Sequence, residues 1–451
     1  MLRRKTTGAA LVALATASTL ALAHSPAEAD FSPQPQDVVS TGSDIIQNSF
    51  NFLADGYGAL PGYNTAGNRY RFVNFDSSGD AQGRSAFTDP RLLNTITGNG
   101  TVGENGVKYI KQSDLRLLNP AISLRAGAPL VVRPSGGGAG GRDAIIADKV
   151  DAGIGGWIDI GRSPNSLSTP NQNLAQTNLG TKLFTVQVAT DRQLIATATT
   201  TNAPTALTAD QIYKIYKGEY DTWGDIPGWG TGTVPGSDPA KAGETIIPII
   251  LPTDAGMWSI FVTNVDKQIT SATVVSSDLR ANPNRIEAQQ NDPTSITALP
   301  PGQQANAIMP FPRGRYNLLG TGYYTQTKEF TGSLATPVTN LYNTDAGHRT
   351  AAGNNGIKLL DFASTGDVAD PAAPYGGNFP YNAFIRATDV TSNTAWQPGS
   401  TLNWVEALFY NPDPDGPLPF VRSAAGIALL EAAGVTPDYR VYDTSNAQIF
   451  P

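Results

Sequence analysis

The sequence predicts an α/β fold built on mainly parallel sheets. Two observations lead there. Three times, a short apolar run is followed by a polar or glycine-rich loop and then by helical periodicity, and a fourth apolar run ends in a polar loop. Strands alternating with helices in this way pack as a sheet with helices on its faces. Ligands of such sheets sit beyond the carboxyl ends of the strands, where helix N-termini offer free N–H groups. No tandem repeat of the 20–50-residue kind is visible.

The first unit is a strand at residues 37–40. A helix then begins at the N-cap Ser43, carries Ile46, Phe50 and Leu53 on one face, and stops at Gly56. The second runs from a strand at 128–133 through Ser135-Gly136-Gly137-Gly138-Ala139-Gly140-Gly141 into a helix at 143–150. The third apolar run, 156–161, reads as a strand containing Asp159 and ends in Arg162-Ser163-Pro164. Residues 207–218 form a helix with a capping box, Thr208 with Gln211, an apolar face of Ile212, Ile215 and Tyr216, and a stop at Gly218. The fourth unit is a strand at 246–251, the loop Pro252-Thr253-Asp254-Ala255-Gly256, and a helix with Trp258, Phe261, Val262 and Val265 at i, i+3, i+4, i+7. Residues 169–181 and long stretches after 282 are rich in Asn, Pro, Gly and Thr and read as surface loops and insertions. A short helix at 424–433 ends at Gly434, and the 411–416 segment reads as a proline turn rather than a calcium loop.

The first 29 residues read as a secretory signal. Arg3, Arg4 and Lys5 precede an apolar run at 9–23, and Ala27-Glu28-Ala29 offers small residues for cleavage before Asp30. The remaining 422 residues carry 28 basic against 37 acidic side chains, a net charge of −9. That balance argues against nucleic acid or an anionic membrane surface as partner. Cysteine is absent, which excludes disulfides, a thiolate metal site and a lipid attached at a new N-terminus. No second long apolar run exists, so no membrane insertion is expected. Of two histidines, His24 leaves with the signal and His348 lies in a polar loop, so no histidine-rich metal site and no cofactor are expected.

Gly136, Gly138 and Gly141 satisfy the dinucleotide pattern G-x-G-x-x-G, with Asp159 about twenty residues on. Pro134 at the strand end and the secretory signal argue against that reading. No Lys-Ser or Lys-Thr follows, so the loop is not a P-loop either. Bare backbone N–H groups at a helix mouth remain as the physical content of the loop.

Leu207-Thr208 through Gln211-Ile212, Ile215-Tyr216, Gly218 and then Trp223-Gly224-Asp225 resembles the L-T-x-x-Q segment of phosphate-type solute-binding proteins, the extracellular receptors of ABC transporters. Ile249-Ile250-Leu251-Pro252 with Gly256 and Phe261 is similar to that family's third anion loop. Residues 307–316, from Ala307 to Tyr316, resemble the segment that returns the chain to the first lobe, and Thr41-Gly42-Ser43-Asp44 with Gln47 resembles the opening loop. The similarity spans residues 37–317. It implies a two-lobed type II periplasmic-binding-protein fold, each lobe a mixed sheet flanked by helices, with loop-rich insertions. After a signal at 1–29, lobe 1 would comprise 30–185 and 307–451, and lobe 2 would comprise 186–306.

The resemblance also implies a cleft that closes over an anion held by N–H groups, hydroxyls, one arginine and one aspartate. Carried over by position, that ligand set is altered. The first hydroxyl falls on Asp44, the second-loop serine on Gly138 or Ala139, the aspartate on Pro164, and the arginine on Leu251. The Ser-Gly-Thr falls on Ala255-Gly256-Met257. The candidate cleft residues are Ser43, Asp44, Ser135, Gly136, Gly137, Gly138, Arg142, Asp159, Arg162, Ser163, Thr253, Asp254 and Gly256. A buried dianion without a paired arginine is costly, so the fold is expected to be kept and the phosphate site changed. The expected function is monomeric, non-enzymatic solute binding outside the cytoplasm, with a small solute or oxyanion such as phosphate as ligand and a membrane permease as partner. A cell-surface or matrix protein reusing the fold, and a secreted phosphatase, are the other two readings.

Overall fold

The computed structural model describes residues 33–75, 101–102, 108–110, 121–122, 124–126, 131–132, 140–148, 156–253, 255–269, 273–288, 290–291, 293–297, 299–320, 356–362 and 372–450. Residues 1–29, expected as a signal, and His348 lie outside them. The strands in chain order are β1 (Val38–Gly42), β2 (Phe72–Asn74), β3 (Thr101–Val102), β4 (Lys108–Ile110), β5 (Ala121–Ile122), β6 (Val131–Val132), β7 (Ile160–Ser163), β8 (Leu183–Ala198), β9 (Ile247–Ile250), β10 (Ile286–Ala288), β11 (Ala307–Pro312), β12 (Ile357–Leu359), β13 (Gly377–Arg386), β14 (Thr436–Tyr442) and β15 (Gln448–Phe450). The main helices are α1 (Asp44–Asp55), α2 (Gly140–Ala147), α3 (Thr169–Leu179), α4 (Ala209–Lys217), α5 (Gly256–Gln268), α6 (Arg313–Gly320), α7 (Trp404–Leu408) and α8 (Ala424–Ala432).

The fold is mixed α/β, with one large sheet flanked by helices. Its strand order is β2-β1-β7-β13-β8-β11-β9-β10-β4-β3, with β12 and the β14–β15 hairpin attached at β8. The pairings β1–β2, β1–β7, β9–β10, β9–β11 and β4–β10 are parallel. The middle of the sheet, β7–β13–β8–β11, is antiparallel, and so is the terminal β3–β4 pair, so the expectation of mainly parallel strands holds only for β2–β1–β7 and β11–β9–β10–β4.

The change of partner along β8 and β11 divides the sheet into halves. β8 pairs with β13 through residues 183–193, then with β11 and β12 through residues 193–198. β11 pairs with β9 at Ala307 and Ile308, then with β8 from Met309. The seam between halves therefore falls where β8 passes Gln193. The β3–β4 hairpin joins β10 in the second half, although it precedes β7 in sequence.

Local chemistry explains most boundaries. α4 carries the full capping box: Gln211 N–H donates to Thr208 Oγ1 at 3.2 Å, and Thr208 N–H donates to Gln211 Oε1 at 2.9 Å. Gly218 closes it in the left-handed region. The 169–181 stretch, expected as a loop, is helix α3. Ser168 and Asn171 form its capping box, Pro170 sits in the first turn where no N–H is missed, and Gly180 ends it. Its weak amphipathicity hid it, because only Gln172 and Ala175 face inward. The strand expected at 156–161 begins only at Ile160.

Aromatic packing fastens α1 to its half. Phe50 of α1 meets Phe72 of β2 at 5.9 Å and Phe409 beyond α7 at 5.9 Å. In the other half, Trp223 is fully buried, stacks on Trp229 at 5.5 Å and donates to Asn306 Oδ1 at 2.8 Å. Trp258 of α5 donates to Ser276 Oγ at 2.7 Å. Both tryptophans are packing residues.

Three glycines let α2 pack closely against β1 and β7. A Cβ on Gly141 would meet the Arg162 carbonyl oxygen at 2.1 Å, and one on Gly161 would meet the Gly141 carbonyl oxygen at 2.3 Å. Gly42, with φ +120°, approaches Gly141 Cα to 2.4 Å on the same test. These contacts are between backbones, so side-chain rearrangement cannot relieve them. Gly141→Ala is expected to cost on the order of 3 kcal/mol, measured by urea denaturation, whereas Gly243→Ala, in open space, is expected to be nearly neutral.

Candidate functional site

Helix N-termini converge at the seam. α1 follows the carboxyl end of β1, and α2 docks against the ends of β1 and β7. α5 follows the carboxyl end of β9 in the other half. Each presents first-turn N–H groups and the positive end of a helix dipole.

Ser43 stands at the N-cap of α1 but forms no cap. Its residue is 0% exposed, and Oγ has no hydrogen-bond partner among the described residues. Its backbone is held instead: Ser43 N–H donates to the Arg162 carbonyl at 3.1 Å. Asp44 opens the helix, and its Oδ1 accepts from Gln290 Nε2. Gln290 in turn accepts the Met257 N–H, in the first turn of α5, at 3.2 Å. A single side chain thus connects the starts of α1 and α5 across the seam. A second crossing joins Asn165, after β7, to Ser259 of α5 at 3.3 Å. Asn291 beside Gln290 is buried, and neither its Nδ2 nor its Oδ1 has a partner among the described residues. The same holds for Asn382 Oδ1 on β13, opposite Ser163.

Arg162 is placed at this point but spends its guanidinium internally. Nε donates to Ser43 O at 3.4 Å, Nη1 to Ser40 Oγ at 3.5 Å and to Asn74 Oδ1, and Nη2 to Gly42 O at 2.9 Å and Phe75 O at 3.0 Å. It is 0% exposed and serves as a strut for the β1–α1 turn rather than as a cleft arginine. Ser163 is buried and its Oγ accepts the Asn165 N–H at 3.1 Å. Gly256 is the buried first residue of α5, and Thr253 is exposed in the loop before it. Arg142, in the first turn of α2, pairs with its neighbour Asp143 at 2.7 Å. Ser135, Gly136, Gly137, Gly138 and Asp254 lie outside the described residues.

Asp159 is at the wrong end of its strand for a cleft ligand. It precedes β7 and accepts the Val39 N–H at 2.8 Å and Arg125 Nη2 at 2.7 Å. Arg386 lies 3.9 Å from its other oxygen and also binds Asp148. Burial raises the Asp148 carboxyl and lifts that of Asp389, 3.5 Å from Arg386, to about 6. This network of acids and arginines clamps the amino ends of β1 and β7, away from the seam.

Asp191, on β8 at the seam, drew no attention in the sequence because nothing around it marks a motif. It accepts N–H groups from Arg192 at 2.7 Å and Gly314 at 2.8 Å through Oδ1, and the Tyr381 hydroxyl at 3.0 Å through Oδ2. The Tyr381 hydroxyl also lies 3.2 Å from Ile45 O in α1, so its single proton is shared between the two acceptors. Burial raises the Asp191 carboxyl to about 6, against the lowering pull of those hydrogen bonds and of Arg313. Arg315 on α6 donates to Asn291 O at 3.0 Å, and its charge also acts on Tyr381.

No family model matches the chain, and no curated protein matches it. Solved structures do. The chain is similar to phosphate receptors of ABC transporters. A putative phosphate ABC transporter substrate-binding protein with bound phosphate from Clostridium perfringens has a TM-score of 0.43 at 12% identity, covering 89% of this chain and 99% of that one. An ABC-type phosphate transport receptor from Vibrio cholerae has a TM-score of 0.41 at 12% identity, covering 89% and 100%. PstS from Borrelia burgdorferi has a TM-score of 0.36 at 11% identity, covering 89% and 98%.

Asp191 yields a pH prediction. Its folded pKa lies above the unfolded value, so the native state holds its proton more tightly. Stability from this group is therefore greatest near pH 4 and falls as pH rises through about 6. A shift from 3.8 to about 6 corresponds to on the order of 3 kcal/mol. Asp191→Asn keeps an oxygen for the two N–H groups and removes the titration. Its melting temperature relative to wild type is expected to rise from pH 4 to about pH 6 and then level off; a difference independent of pH would show that Asp191 does not titrate there.

Proposed function

We propose that the chain is a non-enzymatic solute-binding protein whose site is the seam between the two sheet halves. One observation carries this reading: two helix N-termini from opposite halves meet there beside buried hydrogen-bonding groups, Ser43 Oγ and the Asn291 amide, that have no partner among the described residues. Buried polar groups without partners cost stability unless something supplies the missing hydrogen bonds. A bound solute does so. In this reading the lobes keep the bounds 30–185 with 307–451 and 186–306, except that β8 pairs with strands of both and the 101–110 hairpin pairs with β10 of the second. Export by the N-terminal signal, a monomeric state and delivery to a membrane permease follow from the same reading.

The ligand is proposed to be a small neutral polar solute rather than phosphate. The Asp44 carboxylate stands at the mouth of α1, where it repels a dianion. The Arg162 guanidinium is directed at internal acceptors, Ser43 O, Ser40 Oγ, Asn74 Oδ1, Gly42 O and Phe75 O, rather than at a solute. Ser43 and Asn291 offer neutral donors and acceptors, which suit hydroxyls and amides.

Calorimetric titration of the purified chain with inorganic phosphate, sugars, polyols and small amides tests this. A neutral solute is expected to bind and phosphate to give no heat. Tight phosphate binding would sink the ligand assignment, and silence across a broad panel would favour a structural role outside the cell. Ser43→Ala adds a second check. Loss of a true N-cap costs about 1 kcal/mol, but Ser43 makes no cap bond. Thermal stability is therefore expected to change little while affinity for the solute falls about tenfold, the loss of one net hydrogen bond.

A further inference from the structure

We infer that Gln290 is a built-in occupant of the seam: its carboxamide latches the two halves together and holds the place that a solute must take. The inference rests on the solute-binding reading for its meaning but on separate atoms for its support. Gln290 is 1% exposed and follows β10, in the half that contains β9 and α5. Its Oε1 accepts the Met257 N–H at 3.2 Å, and its Nε2 donates to Asp44 Oδ1 in the other half.

A carboxamide is the side-chain group suited to both ends. It offers an acceptor to a helix N-terminus and a donor to a carboxylate, and it carries no charge into a buried site. A glutamate would set two carboxylates against each other. An aliphatic residue would leave the Met257 N–H and one Asp44 oxygen without these bonds. The backbone is shaped for the task. Asn291 follows with φ 66°, in the left-handed region that asparagine tolerates better than most residues. Its carbonyl is held by Arg315 Nε at 3.0 Å. The turn that delivers Gln290 is thus anchored to α6, the helix that begins at the seam.

A latch of this kind makes closure a property of the chain itself. A solute gains the Met257 N–H only by displacing the Gln290 oxygen, so latch and solute compete for one donor. Closing the halves on a ligand is then an exchange of partners rather than the making of new bonds.

The chain has no cysteine, so a single engineered pair reports the separation of the halves cleanly. Gln176→Cys on α3 and Lys267→Cys on α5 are exposed positions on opposite sides of the seam. Spin labels there are read by pulsed double-resonance distance measurement, with no solute added. The parent pair is expected to give one narrow distance distribution. Gln290→Ala and Gln290→Glu are expected to broaden it and shift it to longer distances. Asp44→Ala removes the other end of the bridge and is expected to do the same, which keeps the test open should a Gln290 variant fail to fold. Folded variants that retain the parent distribution would overturn the latch. These distances need no ligand, so a failed solute panel leaves this result intact, and a solute that binds leaves the latch still to be judged by its own measurement.

Discussion

A buried carboxylate, Asp191, sits where four elements meet. It belongs to β8, the strand that passes through both halves of the sheet. It accepts the N–H of Gly314 at the start of α6 and the hydroxyl of Tyr381 on β13, and Tyr381 reaches on to the Ile45 carbonyl in α1. Burying a carboxylate without an adjacent guanidinium contact is expensive. It is tolerated because three short hydrogen bonds converge on it and fix the geometry of everything around it. The orientation of α1, and with it the position of Ser43 and Asp44, depends on that junction.

Around this point the chain uses charge in an economical way. Arg162 binds the β1–α1 turn from inside, joining the carbonyls of Gly42, Ser43 and Phe75. Arg386 and Arg125 perform the corresponding task at the other end of the same strands, with Asp148 and Asp159. The first half is thus held rigid at both strand ends by buried arginines. The seam between them is fastened by neutral amides, Gln290, Asn165 and Gln193. Gln193 donates to Met257 O while accepting from Tyr375. Rigid ends and an amide-lined seam are the arrangement expected of a site that exchanges hydrogen bonds rather than ion pairs.

Much of this was legible beforehand. The cap at Thr208, the stop at Gly218, the apolar face of α1 and the periodicity of α5 are local signals, and each element formed where its signal stood. The misses have physical causes. α3 has a capping box but almost no apolar face, so composition masked it. Asp159 was counted as part of a strand that starts one residue later, and that shift moved it from a strand interior to the amino edge. Of the glycine loop, Gly141 serves the close approach of α2 to β7, and Ser135 to Gly138 lie outside the described residues. Gln290 and Asp191 carried no signal, since neither a glutamine in the polar run 289–292 nor a lone aspartate within the strand 183–198 marks a motif.

The sequence by itself determined the α/β class, the α4 capping box and the altered side chains at the expected anion loops, because these depend on residues within a few positions of one another. Only the tertiary structure decided which charged groups face the seam and which are consumed inside the lobe. Arg162 meets Phe75, Gln290 meets Asp44, and Tyr381 meets Asp191 across 87, 246 and 190 residues of chain. Whether a guanidinium or an amide is available to a solute depends on such partners, and partners this distant are chosen by packing rather than by local pattern.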